Sequence, residues 1–494
     1  MKFVNYIIIV ILGNIFLLSN ARVLIEQYYS LKRLIIFKKQ QLSFKVNRLI
    51  TFLTFFALGI VVYCYKFSEL AVLIICLNYY LFLPKISLKK YPLTRRSVVM
   101  CLLSSLIYIS MVLLGISFKV EFLIACLNLL IASASLVIGY FITYPLEKII
   151  QGHYIKKARN KIIKNRYICI GITGSYGKTT LKNFIYQILK THYRISDQNH
   201  NFNTMMGLCK YINNVVKDDD QILIVELGID KLNSMIKFKK LLHLDYAFIT
   251  NIGPMHLSTF KSVDNIAKEK AKIMELLKKD GKLFINDNIE EKYRQYIKYP
   301  YVVFSKKNLQ IKDEFFYQVK YNGQDIKTKI LSENNLNYID AAIEIGKLLS
   351  LNDIEIEKGI RNLNLPSRRG QLLIKDKMMF YDDSYNANYL QMIDNIKRIN
   401  NTTYYKIIIT GGLIELGDKY EEYNRKIGEL LLLFDEVYLI NNDKNHPLKL
   451  AYESKKKHGL IILNSVTAAL KQIKPQEDET FIYIAAKGSD YYLK

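Results

Sequence analysis

Thr173-Gly174-Ser175-Tyr176-Gly177-Lys178-Thr179-Thr180 closes an apolar, β-branched run, Tyr167 to Ile172, with a glycine turn that ends in Lys-Thr. From Leu181 to Leu189 apolar residues recur at helical spacing, so the turn joins a strand to a helix N-terminus. Backbone N–H groups at such a terminus point at an anion and the helix dipole favours it, which makes the turn a phosphate cradle. Gly174 and Gly177 allow close backbone approach, Lys178 reaches toward the β/γ-phosphates, and the Thr179 hydroxyl is placed to ligate Mg²⁺, with Ser175 and Thr180 completing the turn. The common form of this loop has a glycine five residues before the Gly-Lys pair, where this chain has Ile172.

With 494 residues the chain has room for two to four domains. Residues 1–145 are dominated by apolar runs and the remainder has the charge content of an ordinary globular protein. The formal net charge of +26 raises the question of nucleic acid, but the lysines and arginines are spread along the chain and cluster beside the apolar runs. They read as membrane topology signals, with no nucleic-acid partner expected. Cys64, Cys76, Cys101, Cys126, Cys169 and Cys209 include no CxxC pair, so neither a zinc site nor a disulfide framework is indicated.

Five apolar stretches are visible: Phe3 to Ser19, Leu49 to Tyr65, Phe67 to Leu83, Ser97 to Phe118 and Phe122 to Tyr144. The last two exceed the ~18 residues that flag a spanning helix, whereas the third, with Glu69 near its start and Pro84 at its end, also fits a re-entrant segment. The connectors carrying Lys32, Arg33, Lys38, Lys39, Lys45 and Arg48, and then Lys89, Lys90 and Arg95, belong on the cytoplasmic side by the positive-inside rule. Five crossings with the N-terminus outside satisfy both connectors and place the chain from Lys148 onward in the cytoplasm. The first stretch also admits a cleaved signal ending at Ser19-Asn20-Ala21. The region is expected to anchor the chain in the bacterial cytoplasmic membrane as a multi-pass, lipid-contacting domain, and it also admits a role in binding a lipid-linked substrate.

Beyond the cradle, Ile222 to Gly228 (ILIVELG) is a buried-strand run ending in a carboxylate, and Glu226 is a candidate Mg²⁺ ligand because α/β proteins act on a bound nucleotide at such strand ends. Ala247 to His256 (AFITNIGPMH) is another strand leading into a loop that presents His256.

With these motifs in place the chain resembles the Mur ligase family, the ATP-dependent amide ligases of peptidoglycan precursor synthesis, and most closely its D-alanyl-D-alanine-adding, MurF-like branch. The resemblance covers about residues 165–494 and rests on TGSYGKTT, NHNFNTMMG at Asn199 to Gly207, VELG at Val225 to Gly228, TNIGPMHL at Thr250 to Leu257 and EKAKI at Glu269 to Ile273. It continues through PSRRG at Pro366 to Gly370, DDSYNAN at Asp382 to Asn388, IELG at Ile414 to Gly417 and KGS at Lys487 to Ser489. Together with the apolar stretches, it gives the expected architecture: an α-helical transmembrane domain (1–150, about five helices) followed by α/β, in which the resemblance implies a P-loop central domain (160–330), a helical connection (331–365) and a Rossmann-like C-terminal domain (366–494).

The same resemblance implies the site. Lys178 and Thr179 hold ATP and Mg²⁺, Glu226 and His256 ligate metal, and Lys270 falls where these ligases carry a carbamylated lysine, although Lys268 and Lys272 leave the register open. Asn335 corresponds to an adenine-side asparagine, Arg368 to an arginine that contacts the γ-phosphate, and Asp383 to the nucleotide-side aspartate of the last domain. Asn203, Ser384, Asn386, Asn388, Lys487 and Ser489 fall on the substrate side. The implied reaction phosphorylates a substrate carboxylate to an acyl phosphate, which an amino acid or dipeptide amine attacks to give an amide.

The pattern is broken at its edges. Where soluble members of the family open with a domain that grips uridine diphosphate, this chain has its apolar region, so a lipid-linked cell-envelope precursor is the expected acceptor, with the UDP-linked muramyl peptide and D-alanyl-D-alanine as the alternative. Tyr389, Gly412 and Asp490 replace a proline, an acidic residue and an arginine at the amine end. A P-loop-driven transporter is the competing reading from another class; neither DDSYNAN nor a lysine carbamate has a use in a transport motor.

Overall fold

The computed structural model describes residues 7, 9–11, 13–18, 20–21, 94–118, 120–196, 202–255, 257–306, 310–311, 318–327, 333–365, 368–375, 378–384, 389–413, 419–440, 446–455, 460–474 and 479–486. It divides into two units, Met1–His153 and Tyr154–Lys494.

In the first unit the fourth apolar stretch forms α1 (Arg95–Ser117). Thr94 caps it by accepting from the Ser97 N–H, and Ser97 returns the bond to the Thr94 N–H, a reciprocal capping box. At 1.5 Å per residue the helix is ~35 Å long, enough for a ~30 Å hydrocarbon layer. Its buried residues, Ser97, Met100, Ser104, Tyr108 and Val112, form one stripe at helical spacing, while Leu102, Leu106, Leu113 and Leu114 are exposed. The fifth stretch lies in α2 (Glu121–Asn165), which the sequence ended at Tyr144; the helix instead runs through Pro145. The proline forfeits one backbone hydrogen bond, and good helix formers on its C-terminal side, Leu146, Glu147, Lys148 and Gln151, carry the helix onward. The first stretch contains a short apolar helix, Ile9–Leu18. The Tyr108 hydroxyl lies within hydrogen-bonding distance of the Ile9 carbonyl (2.9 Å) and of Asn128 Oδ1 (2.6 Å), so three segments meet at a buried polar contact. The second and third stretches lie outside the described residues.

The second unit is built on two sheets. β1 (Ile168–Thr173), β2 (Ile222–Glu226), β3 (Leu244–Ile249), β4 (Leu277–Asn286) and β5 (Tyr301–Phe304) form a parallel sheet in the order β2-β1-β3-β4-β5. Its strands read as near-continuous apolar runs because both faces are covered. Cys169, Leu223, Val225, Ala247 and Ile249 pack on one face against α4 (Met205–Asn214) and against Ala158 and Ile162 of α2. Ile170, Ile172, Ile224 and Phe248 pack on the other against α3 (Lys178–Leu189), α6 (Glu333–Leu348) and α7 (Asp353–Arg361). The chain leaves β1 toward β2 and returns to β3 on its other side, so the loop after β1 opens at the switch point where α/β sheets take ligands.

Between β5 and α6 the structure adds an antiparallel meander, β6 (Gln310–Ile311), β7 (Gln318–Tyr321) and β8 (Gln324–Lys327), that the motifs did not announce. α5 (Val263–Ala271) precedes β4 on the first face. The second sheet has the order β13-β12-β11-β14-β10-β9, from β9 (Gln371–Lys375), β10 (Met378–Asp382), β11 (Tyr405–Thr410), β12 (Glu436–Leu439), β13 (Leu460–Ile462) and β14 (Thr480–Ala485). All its pairs are parallel except β9 with β10, an antiparallel edge on a Rossmann-like sheet.

Candidate active site

The cradle is held from behind. Ser175 N–H donates to the Asn251 carbonyl (2.8 Å), its hydroxyl donates to the Gly253 carbonyl (2.9 Å), and the Tyr176 hydroxyl donates to the Pro254 carbonyl. The loop after β3 therefore acts as a brace for the loop after β1. Gly174 and Gly177 have φ of 151° and 79°, and a Cβ on Gly177 would lie 2.1 Å from the Tyr338 hydroxyl of α6. Only glycine fits between that helix and the turn. Asn335 is buried one turn before Tyr338.

Lys178 opens α3 and folds back over its own loop, its ammonium donating to the carbonyls of Gly174 (2.6 Å) and Ser175 (3.3 Å). Burial lowers its pKa to about 8, with the Glu226 carboxylate opposing and Arg369 adding to the drop. Thr179 and Thr180 are buried beside it. Glu226 ends β2 in register with Ile172, and its Oε2 accepts from the Thr179 hydroxyl at 2.9 Å. Adjacent ligands of an octahedral Mg²⁺ with ~2.1 Å bonds are about 2.9 Å apart, so these two hard oxygens fit a shared divalent ion. Glu226 Oε1 lies 3.0 Å from the ammonium of Lys182, both side chains being about 95 % buried. The Asn203 carbonyl accepts from Gly228 N–H at 2.8 Å, which brings its loop to the same strand end.

The three lysines of α5 and its exit separate cleanly. Lys268 is exposed over the Tyr296 ring, and Lys272 pairs with Glu269 (2.9 Å). Lys270 is buried, and burial together with the charge of Lys178 lowers its pKa well below the ordinary lysine value. Glu269 has a structural task, accepting from the N–H groups of Asn233 and Met235 (both 2.9 Å).

In the second sheet, Arg368 takes a left-handed φ of 64° and its Nε donates to Ser384 Oγ at 2.9 Å, while Ser384 N–H donates to Asp382 Oδ1 at 3.0 Å. Asp383 is buried with its Oδ2 lacking a hydrogen-bond partner. Burial and the neighbouring Asp382 hold its carboxyl well above the usual range, against the pull of Arg369. Arg369 thus bears on both Lys178 and Asp383, while Arg368, which the resemblance set at the γ-phosphate, is bonded to Ser384. Lys182, Arg369 and Tyr338 were not singled out from the sequence: a lysine one turn into an amphipathic helix reads as solvated, and nothing in Arg-Arg separates the two arginines. His256, Asn386, Asn388, Lys487 and Ser489 lie outside the described residues.

Glycine cradle, paired oxygens and inward-facing cations on a switch-point loop define an α/β protein with a P-loop-type phosphate site. Residues 172–346 match the Mur ligase middle domain model. The chain is 28 % identical over 274 residues to the UDP-N-acetylmuramoyl-tripeptide–D-alanyl-D-alanine ligase of Bacillus subtilis, covering 53 % of this chain and 60 % of that protein. Its likeness to the ligase of the same name from Borreliella burgdorferi is 28 % over 300 residues, covering 57 % and 64 %. MurF of Thermotoga maritima, solved in complex with ADP, superposes with a TM-score of 0.58 at 22 % identity over 69 % of this chain and 80 % of that one, and shares the fold. Residues 172–346 are thus those of a Mur ligase middle domain, and the curated relatives that the chain resembles are MurF-type ligases. The chain spans less than two thirds of the length of these two curated relatives.

Proposed function

We propose that the protein is an ATP-dependent carboxylate–amine ligase of peptidoglycan-precursor synthesis that activates the carboxylate as an acyl phosphate. The observation that carries this reading is the glycine turn at the N-terminus of α3, with Lys178 folded over its carbonyls and the Thr179 hydroxyl 2.9 Å from Glu226 Oε2. A helix N-terminus with a lysine over it and two hard oxygens beside it suits a Mg²⁺-bound triphosphate. In this reading Thr179 and Glu226 hold Mg²⁺, which neutralises phosphate charge, and Lys270, as its carbamate, offers a further oxygen ligand. Lys178 binds and orients the β/γ-phosphates. Asp383 offers its unpartnered oxygen to the nucleotide, and Arg369 carries positive charge between it and the cradle. Closure of the C-terminal domain would exclude water from the acyl phosphate.

In domain terms, 1–150 is a membrane domain, 160–330 the ATP-binding domain, 331–365 the helical connection and 366–494 the amine-side domain. The relatives' names favour a UDP-linked muramyl tripeptide and D-alanyl-D-alanine as the substrates. A lipid-linked acceptor is the second reading, favoured by the two helices long and apolar enough to cross a membrane, Arg95–Ser117 and Cys126–Asn165. Mass spectrometry of products from the full-length protein in detergent separates them. Extension of the UDP-linked tripeptide by the dipeptide supports the first, extension of a component of membrane lipid extract alone supports the second, and amide formation with neither overturns the ligase assignment.

A further inference from the structure

Lys182 is a buried cation that the mechanism above leaves without a task. It sits one turn beyond Lys178 on α3, so both ammonium groups emerge from the same face of the helix. Its Nζ is 3.0 Å from Glu226 Oε1, while the other carboxylate oxygen, Oε2, is 2.9 Å from Thr179 Oγ1. Oε1 of Glu226 thus faces a cation as an ion pair without a hydrogen bond, and Oε2 is turned toward the hydroxyl beside the cradle.

That division has a chemical consequence. A free carboxylate can bind a cation through one oxygen or through both, and the choice separates small from large divalent ions. Mg²⁺ demands near-octahedral geometry with bonds of ~2.0–2.1 Å and takes single carboxylate oxygens, whereas Ca²⁺, with bonds of ~2.3–2.6 Å, readily takes both. With Oε1 ion-paired to Lys182, Glu226 presents Oε2 toward the cradle, 2.9 Å from Thr179 Oγ1. Resting on the reading of Thr179 and Glu226 as the metal-binding pair, we propose that Lys182 is a positioning residue that keeps Glu226 one-handed and so makes the site selective for Mg²⁺ over Ca²⁺. It touches neither the reacting atoms nor the metal; it acts through the carboxylate.

The test measures binding of a fluorescent ATP analogue to the full-length protein in detergent, titrated separately with Mg²⁺ and Ca²⁺, in wild type, Lys182→Met and Lys182→Arg. Outer-shell partners of metal ligands typically carry about 10- to 100-fold in metal affinity. Lys182→Met should therefore need at least about tenfold more Mg²⁺ for half-maximal binding, with a smaller loss for Ca²⁺, so that the Mg²⁺/Ca²⁺ preference shrinks. Lys182→Arg keeps a charged donor at the carboxylate and should retain most of the preference. Removing one partner of a buried ion pair can also unfold a protein, so melting temperatures accompany the titrations, and Lys182→Arg carries the comparison if Lys182→Met does not fold. A folded Lys182→Met with the wild-type Mg²⁺ half-point and Mg²⁺/Ca²⁺ ratio overturns the proposal, as does Lys182→Arg losing the preference entirely. Wild-type protein that binds no nucleotide in either metal overturns instead the reading of the cradle on which the proposal rests.

Discussion

The charge of Lys178 bears on Lys270 and, on top of burial, lowers its pKa well below that of a free lysine. An amine in that state is neutral more of the time near neutral pH, and a neutral amine is the form that adds to carbon dioxide. Lys270→Ala should lose nearly all ligase activity and recover part of it with a short carboxylic acid supplied in solution, while Lys268→Ala and Lys272→Ala stay within a few-fold of wild type. Wild-type activity in Lys270→Ala would mean that a different lysine serves.

Lys178→Ala removes the ammonium that closes over the cradle carbonyls. Binding of a fluorescent ATP analogue should fall by about 10- to 100-fold or more, a hydrogen bond to a charged group being worth roughly 1.5–3 kcal/mol. Retained binding would end the phosphate-cradle account.

Gly177→Ala should cost about 1–3 kcal/mol of stability from the left-handed backbone alone, before the added methyl meets the Tyr338 ring. Thermal unfolding with and without nucleotide measures both effects: the expected result is a lower melting temperature and loss of the nucleotide-induced rise.

Asp383 gives a signed pH dependence. Its folded pKa is raised, by burial first and Asp382 second, so between the ordinary carboxylate value and that raised value the folded chain holds the extra proton. Its contribution to stability therefore falls as pH rises through that window and is absent in Asp383→Asn. The variant should melt at or above the wild-type temperature at neutral pH while binding nucleotide more weakly. A variant that melts lower with unchanged binding would assign Asp383 to the fold.

α1 exposes Leu102, Leu106, Leu113 and Leu114, more apolar surface than a water-facing helix carries without cause. Alkaline carbonate washing should leave the protein in the membrane pellet and detergent should release it; release by carbonate would contradict a spanning helix.

Much of this was legible in the residues. Thr173 to Thr180 announced a strand, a glycine turn and a helix because each local preference agreed with the next, and the structure has β1, the left-handed Gly177 and α3 there. Glu226 was legible as the end of an apolar strand. Which of three lysines turns inward was not, since Lys268, Lys270 and Lys272 alternate on a helix end where only tertiary packing decides burial. Lys182 was hidden for the same reason, its partner lying on another strand. The β6–β8 meander is built from short polar segments with too little periodicity to stand out, and the helix through Pro145 defied a rule that holds for most proline residues.

The central claim is that a substrate carboxylate is activated as an acyl phosphate on this cradle. Oxygen-18 placed in the acceptor carboxylate and followed by mass spectrometry during turnover with Mg-ATP and amine tests it most directly. Transfer of label into the released phosphate, one oxygen per amide formed, is the predicted result. Amide formation with unlabelled phosphate, or phosphate release that ignores both acceptor and amine, would contradict it.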